Sequence, residues 1–270
     1  MRSMSVTRVA VVLLGTLSSL LPLAIANPVL APRASVPGPP KDPPLPSGDG
    51  SGEYNTIWLC GPNDYKVRAL LEGGVLAFAA KGWCQASRAM NHYLLDNGKD
   101  LNENVANMME DTPAFKKAVH ALAEKEAKDA VDFIGPWVTK TFNSGWKVWH
   151  AWNKEKNEAH NLDWYYALGE YSYAVTGVLT NGGTGKVKLE WKAHIFDRYN
   201  WDNSGKKQSF GPISVTHKEI GHLHKCGGAR EYVVRGSSKE QVVNNYNSKK
   251  PLPAVDTSGS SSCWWQPAKE

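Results

Sequence analysis

One stretch of the sequence, residues 197–207, holds the densest cluster of polar side chains that could carry chemistry. If this stretch begins as a strand, Asp197, Tyr199 and Trp201 project to one side, which places a carboxylate beside a phenol. A carboxylate can act as a general base, a nucleophile or a metal ligand. The same pattern also fits a strand end with an exposed aspartate, so both interpretations stay open.

A second candidate is the pair His222 and His224 in the sequence His-Leu-His. On a strand, both imidazoles could bind one metal ion, whereas on a helix side chains two residues apart diverge. The sequence offers no obvious third ligand. A surface or capping role is therefore the alternative, and we do not expect a zinc site here.

The sequence lacks the common motifs of several enzyme classes. It contains no G-x-S-x-G, no H-E-x-x-H, no P-loop and no G-x-G-x-x-G. A secreted nuclease that uses His222 and His224 would suit the basic charge, but no recognisable nuclease motif supports it.

Several segments show the apolar periodicity of helices. Residues 64–97 do so, with Gly73-Gly74 and Gly82 as points where they could divide into two helices. Thr112-Pro113 predicts the start of another helix, because Thr caps and Pro suits the first turn. Pro136 predicts a fourth helix that carries a stripe of tryptophans, and a short helix is expected over residues 218–224.

The second half of the chain has the composition of strands. Residues 171–180 and 186–196, separated by a Gly-rich turn, predict a hairpin, and residues 213–215 and 231–234 predict further strands. We therefore expect an α+β fold, with a helical N-terminal half followed by an antiparallel β-sheet or half-barrel. The expected boundaries are a helical domain over 53–160 and a β-rich catalytic domain over 161–270.

The N-terminus has the features of an export signal. An apolar run follows Arg2 and Arg8 and ends at Ala24-Ile25-Ala26, so residues 1–26 are interpreted as a cleaved signal peptide and the protein as secreted. Residues 27–52 contain eight prolines and predict a linker or pro-segment. Ordered structure is expected to begin near Tyr54.

The chain has four cysteines, an even number that predicts two disulfide bonds in an exported protein. Three pairings are possible, and keeping each bridge within one half favours Cys60–Cys84 with Cys226–Cys263. A zinc site built from all four is not expected, because the sequence has no C-x-x-C.

Composition and charge limit the class of protein. The 270 residues are 41% hydrophobic and 21% charged, which excludes a wholly disordered chain and a multi-span membrane protein. The net charge is +5, and residues 186–250 hold 13 Lys/Arg against 6 Asp/Glu. This distribution favours an anionic partner without identifying it.

The order of residues around Asp197 resembles that of the colicin M-type bacteriocins. The resemblance covers Leu168-Gly169, the strand Thr176-Gly-Val-Leu-Thr180, the Gly-containing turn, and the strand that enters Asp197-Arg-Tyr-Asn-Trp201. Further similar segments are Gly227-Gly-Ala-Arg-Glu-Tyr232 and, upstream, residues 92–107. The similar region extends over about residues 75–240, with gaps.

The resemblance implies a specific activity. Colicin M-type proteins hydrolyse lipid II, the undecaprenyl-pyrophosphate precursor of peptidoglycan, between the lipid and the pyrophosphate, and they use Mg²⁺. The expected partners are therefore lipid II and the bacterial membrane surface, with no nucleic acid, and we expect a monomer. The basic C-terminal half and the tryptophan stripe suit a substrate that is anionic at the cut and apolar on one side.

The resemblance implies roles for only some of the site residues. The family's first Asp corresponds to Asp197, the expected base or Mg²⁺ ligand, and its Tyr to Tyr199. Its second Asp falls on Asn200, so Asp202 could supply that carboxylate. The family's His-Arg pair falls on Lys206 and Lys207, which leaves His224 or His222 to supply an imidazole; the remaining expected substrate contacts are Arg198 and Trp201.

A non-catalytic alternative remains open from the same residues. Loss of the His-Arg pair favours a secreted effector or binding protein on a degenerate toxin scaffold. The intact Asp197 and Tyr199 pair favours an enzyme.

Overall fold

A long antiparallel hairpin forms the centre of the computed structural model, which describes residues 34–45, 50–132, 134–183, 185–210 and 213–259. Its strands are β6 (Glu170–Asn181) and β7 (Val187–Tyr199), paired from Asn181↔Val187 to Ser172↔Phe196. The predicted hairpin is confirmed. Strand alternation gives each strand one face that packs on helices and one face that points the other way.

Both edges of this hairpin carry additional strands. Strands β10 (Tyr232–Ser237) and β11 (Gln241–Tyr246) pair antiparallel with β7. Strands β2 (Thr139–Asn143) and β3 (Lys147–His150) pair antiparallel with β6. Strand β1 (Leu101–Asn102) runs parallel to β10, so the seven-stranded sheet is mixed. Two small ribbons complete the β structure: β4 (Trp152–Asn153) with β5 (Glu158–Ala159), and β8 (Lys207–Phe210) with β9 (Ile213–Thr216).

Six helices are described, and most begin or end at residues with a recognisable local cause. They are α1 (Pro62–Ala80), α2 (Cys84–Leu94), α3 (Val105–Asp111), α4 (Pro113–Val131), α5 (Leu162–Ala167) and α6 (His217–Lys225). Gly82, with φ +73°, separates α1 from α2. Thr112 is the N-cap of α4 and Pro113 its first residue. The α+β fold class and these helix boundaries agree with the sequence prediction.

The helix predicted from Pro136 is wrong, because this segment forms strands β2 and β3. The stretch Thr139-Lys-Thr-Phe-Asn143 alternates β-branched and other residues, as strands do. Gly145, at φ +63°, turns the chain between the two strands. Edge pairing with β6 therefore outweighs the helical spacing of the tryptophans.

The core lies between one face of the sheet and the helices. Phe115 of α4 packs against the rings of Tyr171 and Tyr173 of β6, with ring centroids 5.3 and 5.6 Å apart. From Ala34 onward, the described residues belong to one compact unit. Within the part of the chain that is described, no helix has the length and apolar character needed to cross a bilayer.

The Pro-rich residues 34–45 cross the opposite face of the sheet. The Thr176 hydroxyl donates to the carbonyl oxygen of Pro37 (2.6 Å), and Arg198 donates to that of Pro43 (2.6 Å). The expectation that ordered structure begins near Tyr54 is therefore wrong. The predicted signal, residues 1–26, lies outside the described residues.

The predicted disulfide pairing is also wrong. Cys60 is bonded to Cys226, with 4.9 Å between their Cα atoms. Helix α1 packs on α6, and this contact brings Cys60, two residues before α1, to Cys226 at the end of α6. Cys84 is disulfide-bonded as well, and Cys263 lies outside the described residues.

Candidate functional site

A cleft of about 550 Å³ opens where β6 begins and β7 ends. Its polar lining includes Asp197, Arg198, Asn200, Trp201 and His217. Four of these are predicted site residues, and the structure brings them together with a histidine that the sequence analysis did not select.

Asp197 lies on the helix-facing side of β7. Strand alternation places it on the same side as Ile195 and Tyr199, both of which are buried. Asp197 itself is half-buried and borders the cleft. A carboxylate in this position can reach a ligand in the cleft while its backbone is fixed by pairing with Val234 of β10.

Tyr199 is a buried support for this position. Its ring stacks on Tyr232, with centroids 4.9 Å apart, and its hydroxyl lies 3.8 Å from the sulfur of Met90. Burial, followed by the nearby Asp197 carboxylate, raises the pKa of Tyr199 well above its usual value. The phenol therefore stays neutral and packs the strand end beneath Asp197.

The loop after β7 is held in place by one carboxylate. Glu231 Oε1 accepts hydrogen bonds from the backbone N–H groups of Trp201 (3.1 Å) and Ser51 (3.0 Å). The Ser51 hydroxyl lies 2.8 Å from the Trp201 carbonyl oxygen. Trp201 Nε1 is buried and has no acceptor among the described residues. A ligand oxygen in the cleft would supply one.

His217 and Asp202 form a hydrogen-bonded pair beside the cleft. His217 Nδ1 lies 2.9 Å from Asp202 Oδ1, and the His217 ring contacts that of Trp201, with centroids 5.1 Å apart. Burial opposes ionisation of Asp202, but hydrogen bonds from Ser204 and the neighbouring His217 lower its pKa to about 2. Asp202 is therefore an anion that orients the imidazole.

The ribbon of strands β8 and β9 brings His217 next to Asp202. Lys207 pairs with Thr216, so the chain returns to its starting point after the ribbon. The backbone N–H of His217 then donates to the carbonyl oxygen of Lys206 (2.8 Å). Thr216 and Glu219 form a capping box that starts α6 at His217.

The sequence held one signal that could have identified His217. Thr216-x-x-Glu219 is the S/T-x-x-E pattern of a helix N-terminus, and it places His217 at the first turn. The pairing with Asp202 could not be derived, because it depends on the ribbon between them.

The two predicted lysines do not line the cleft. Lys206 Nζ is 3.5 Å from Asp202 Oδ2, and its side chain is largely exposed. Lys207 begins β8.

The structure does not bring His222 and His224 to the cleft. His222 Nδ1 lies 2.8 Å from Asp64 Oδ1 of α1. His224 is buried; its Nδ1 accepts from the N–H of Glu231 (3.0 Å), which assigns the proton to Nε2, 3.1 Å from the Gly52 carbonyl oxygen. Both imidazoles join neighbouring segments of the fold.

One wall of the cleft is apolar and aromatic. It includes Val148, Tyr165, Tyr166 and Leu168. Tyr166 stacks on Trp83 at 5.3 Å, which fixes its ring. The cleft therefore joins an apolar wall to a polar end, a combination suited to an amphipathic ligand.

Carboxylates at the cleft are the possible ligands of a hard cation. Besides Asp197, Glu170 lines the cleft, and its Oε2 lies 2.5 Å from His150 Nδ1. Elsewhere among the described residues, the only close group of three possible ligands is Cys60, Asp64 and Cys226, whose two cysteines form the disulfide bond. A cation site would therefore depend on one or two carboxylates and on oxygens of the ligand.

Comparisons with known proteins give low similarity. No protein-family model and no curated protein sequence matches the chain. Among solved structures, PaeM, a colicin M-like bacteriocin produced by Pseudomonas aeruginosa, is 17% identical with a TM-score of 0.31; the match covers 59% of this chain and 50% of that one. Syringacin M from Pseudomonas syringae pv. tomato DC3000 is 13% identical with a TM-score of 0.32, covering 59% and 51%. The chain spans about half the length of these bacteriocins, and at these scores the similarity alone assigns neither fold nor activity.

Proposed function

We propose that this protein is a secreted antibacterial toxin that hydrolyses lipid II between the undecaprenyl chain and the pyrophosphate. One observation carries the proposal: Asp197 and His217, whose imidazole is bonded to Asp202, border a single cleft that has an aromatic wall. The resemblance of the residues around Asp197 to colicin M-type proteins supports the same substrate.

Both ends of the substrate have a counterpart in the cleft. The prenyl chain would lie along Val148, Tyr166 and Leu168, where burial of apolar surface favours binding. The pyrophosphate would lie at the polar end, where Arg198 provides positive charge and Trp201 Nε1 is a hydrogen-bond donor with no acceptor among the described residues. The phosphorus nearest the lipid then lies between the two regions.

The reaction needs a base and an acid, and two residues at the cleft can serve. Asp197 takes a proton from water, which attacks the phosphorus bonded to the undecaprenyl oxygen. The bond between that phosphorus and that oxygen breaks. His217 donates a proton to the leaving oxygen, so the products are undecaprenol and the pyrophosphorylated disaccharide-peptide. Asp202 holds the imidazole in place through Nδ1.

Magnesium suits these donors. Mg²⁺ is commonly bound by one or two carboxylates together with substrate phosphates and water, and Asp197 is the carboxylate that would hold it. Bound there, Mg²⁺ would offset negative charge on the pyrophosphate.

The other predicted residues take supporting roles in this proposal. Tyr199 packs beneath Asp197 as a neutral phenol. Asn200 borders the cleft and could hydrogen-bond the substrate, but it cannot act as a base. Lys206 and Lys207 do not line the cleft, so they would attract an anionic substrate rather than contact the reacting phosphorus.

Incubation with lipid II tests this function directly. The purified protein is mixed with lipid II in detergent, with Mg²⁺ or with EDTA, and both phases are analysed by mass spectrometry. We expect undecaprenol and a pyrophosphorylated disaccharide-peptide only when Mg²⁺ is present. Intact lipid II alongside a protein with native circular dichroism would contradict the proposal and favour the non-catalytic binding protein.

A further inference from the structure

The Pro-rich residues 34–45, called the covering segment below, are attached to the sheet in an unusual way. Five of these twelve residues are proline, so five backbone N–H groups are missing and the segment cannot pair as a normal strand. Instead, side chains of the sheet region donate to its carbonyl oxygens. Besides the bonds to Pro37 and Pro43, Trp146 Nε1 donates to the carbonyl oxygen of Lys41 (2.9 Å).

The only acidic side chain of the covering segment, Asp42, is paired with an arginine of the sheet. Asp42 accepts two hydrogen bonds from Arg235, at 2.5 and 2.7 Å, in a bidentate arrangement. Hydrogen bonding from Arg235 lowers the pKa of Asp42; burial opposes this shift, and the charges of Arg235 and Arg198 add to it. Asp42 is therefore an anion held beside two guanidinium groups.

Arg198 and Arg235 both lie over the ring of Phe196. The guanidinium carbons of Arg198 and Arg235 lie 4.9 and 5.2 Å from the ring centroid of Phe196. Arg198 also borders the cleft, and so do Pro43 and Pro44 of the covering segment. Paired guanidinium groups on an aromatic ring next to a cleft are a site for phosphate or carboxylate oxygens.

We infer that Arg198 and Arg235 form an anion-binding subsite continuous with the cleft, and that the covering segment occupies it with Asp42 in the place of the ligand's anion. The ligand class is a pyrophosphate or a comparable group with two negative charges. The assignment of that group to lipid II rests on the proposed function. The subsite itself rests on the contacts of Asp42, Arg198 and Arg235.

Removing the ion pair between Asp42 and Arg235 should weaken the attachment of the covering segment. The side chains of Arg235 and Asp42 are 37% and 42% exposed, and ion pairs this exposed contribute about 0–1 kcal/mol. An anion that competes with Asp42 binds with an affinity reduced by the fraction of molecules in which the subsite is covered. Weakening the segment should therefore strengthen anion binding.

The test measures binding of inorganic pyrophosphate to the full-length chain by isothermal titration calorimetry. Asp42→Asn removes the charge that covers Arg235. The matched control is Asp100→Asn, because Asp100 also bonds Arg235 (2.7 Å) but lies outside the covering segment. Both variants remove one negative charge beside the same guanidinium, so a difference between them reports uncovering rather than charge.

We expect Asp42→Asn to lower the dissociation constant of pyrophosphate by about three- to fivefold, and Asp100→Asn to change it by less than about twofold. Adding Arg235→Gln to Asp42→Asn should remove this gain in affinity for pyrophosphate. Release of the segment is read separately from the Trp146 indole N–H resonance, which loses its Lys41 acceptor.

Two results would overturn the inference. Equal affinities in the two aspartate variants would show that the segment does not cover the subsite. A shifted Trp146 resonance without tighter pyrophosphate binding would show that the arginines bind no such anion. Hydrolysis is a separate readout: tighter pyrophosphate binding with lipid II left intact by both the wild type and Asp42→Asn would retain the subsite and reject the proposed function.

Discussion

His217 Nδ1 lies 2.9 Å from Asp202 Oδ1, and this contact directs the histidine at the cleft. With Nδ1 bonded to the carboxylate, Nε2 is the ring nitrogen that can exchange a proton with a ligand. The neighbouring Ser204 and His217 keep the pKa of Asp202 at about 2, so its charge is present throughout the physiological range. The pair resembles in its chemistry the histidine–carboxylate units that orient an imidazole in known hydrolases.

His217→Gln should lower the rate of lipid II hydrolysis by about 10² to 10³, because general acid catalysis contributes about 10² to 10⁴. His222→Gln is the matched control, since His222 bonds Asp64 and does not line the cleft. Rates are compared at saturating lipid II. A loss in His222→Gln with full activity in His217→Gln would reverse the assignment in favour of the histidine first selected from the sequence.

Stability should depend on pH through His194. This side chain is buried, and burial, followed by the charge of Lys192, lowers its pKa from about 6.5 to about 4. Between these values the unfolded chain binds the proton and the folded chain does not, so stability is complete above about pH 6.5 and falls as the pH drops towards 4. The expected loss from this residue between pH 7 and pH 5 is about 2 kcal/mol.

Urea unfolding at pH 7 and pH 5, in the wild type and in His194→Asn, measures this loss. The neutral imidazole lies between the Thr176 and Ser237 hydroxyls, at 2.8 and 2.7 Å, so the variant will also be less stable at pH 7. The diagnostic quantity is therefore the change with pH. An equally steep pH dependence in the variant would show that His194 is not responsible.

Gly177 should not tolerate alanine. It is paired with Phe142, and an added Cβ would lie 2.2 Å from that ring and 2.9 Å from the Glu190 carbonyl oxygen. Relief of this overlap should cost about 1–3 kcal/mol of unfolding free energy. Gly182→Ala, where the added Cβ would meet no described atom within 4 Å, should change stability by less than about 0.5 kcal/mol. Similar thermal shifts in the two variants would contradict the packing of Phe142 on Gly177.

The Cys60–Cys226 bond should be a major contributor to stability. It joins residues 166 positions apart, and removal of a native disulfide typically costs about 2–5 kcal/mol. The double variant Cys60→Ser/Cys226→Ser should show this loss in urea unfolding. Non-reducing peptide mapping of the wild type should give one cross-linked product that contains both cysteines, whereas a Cys60–Cys84 product would contradict the fold.

Local sequence patterns predicted the elements that have a strong period and a clear end. The break at Gly82, the cap at Thr112 and the hairpin of β6 and β7 all depend on residues close together in the chain. Such local preferences suffice because they agree with the final packing.

The remaining features depend on contacts between distant residues. The tryptophans after Pro136 have helical spacing, yet this segment completes the edge of β6. The pairing of Cys60 with Cys226 requires α1 to lie on α6, which no local pattern shows.

In the candidate site, too, some residues could be predicted from local sequence and others depend on contacts between distant residues. Asp197, Arg198, Asn200 and Trp201 are adjacent in sequence and therefore share the cleft. His217 joins them only because the β8–β9 ribbon returns the chain to Lys206. The His-Leu-His pattern of His222 and His224 suggests a site, but in α6 these side chains bond Asp64 and the Gly52 carbonyl oxygen.

The most direct test of the central claim is the lipid II turnover of Asp197→Asn. The matched control is Asp129→Asn on α4, an exposed aspartate that pairs with Lys125. We expect Asp197→Asn to lose at least about 10³-fold of the wild-type rate while its circular dichroism and unfolding midpoint stay native, and Asp129→Asn to keep full activity. Wild-type turnover by a natively folded Asp197→Asn variant would contradict the account.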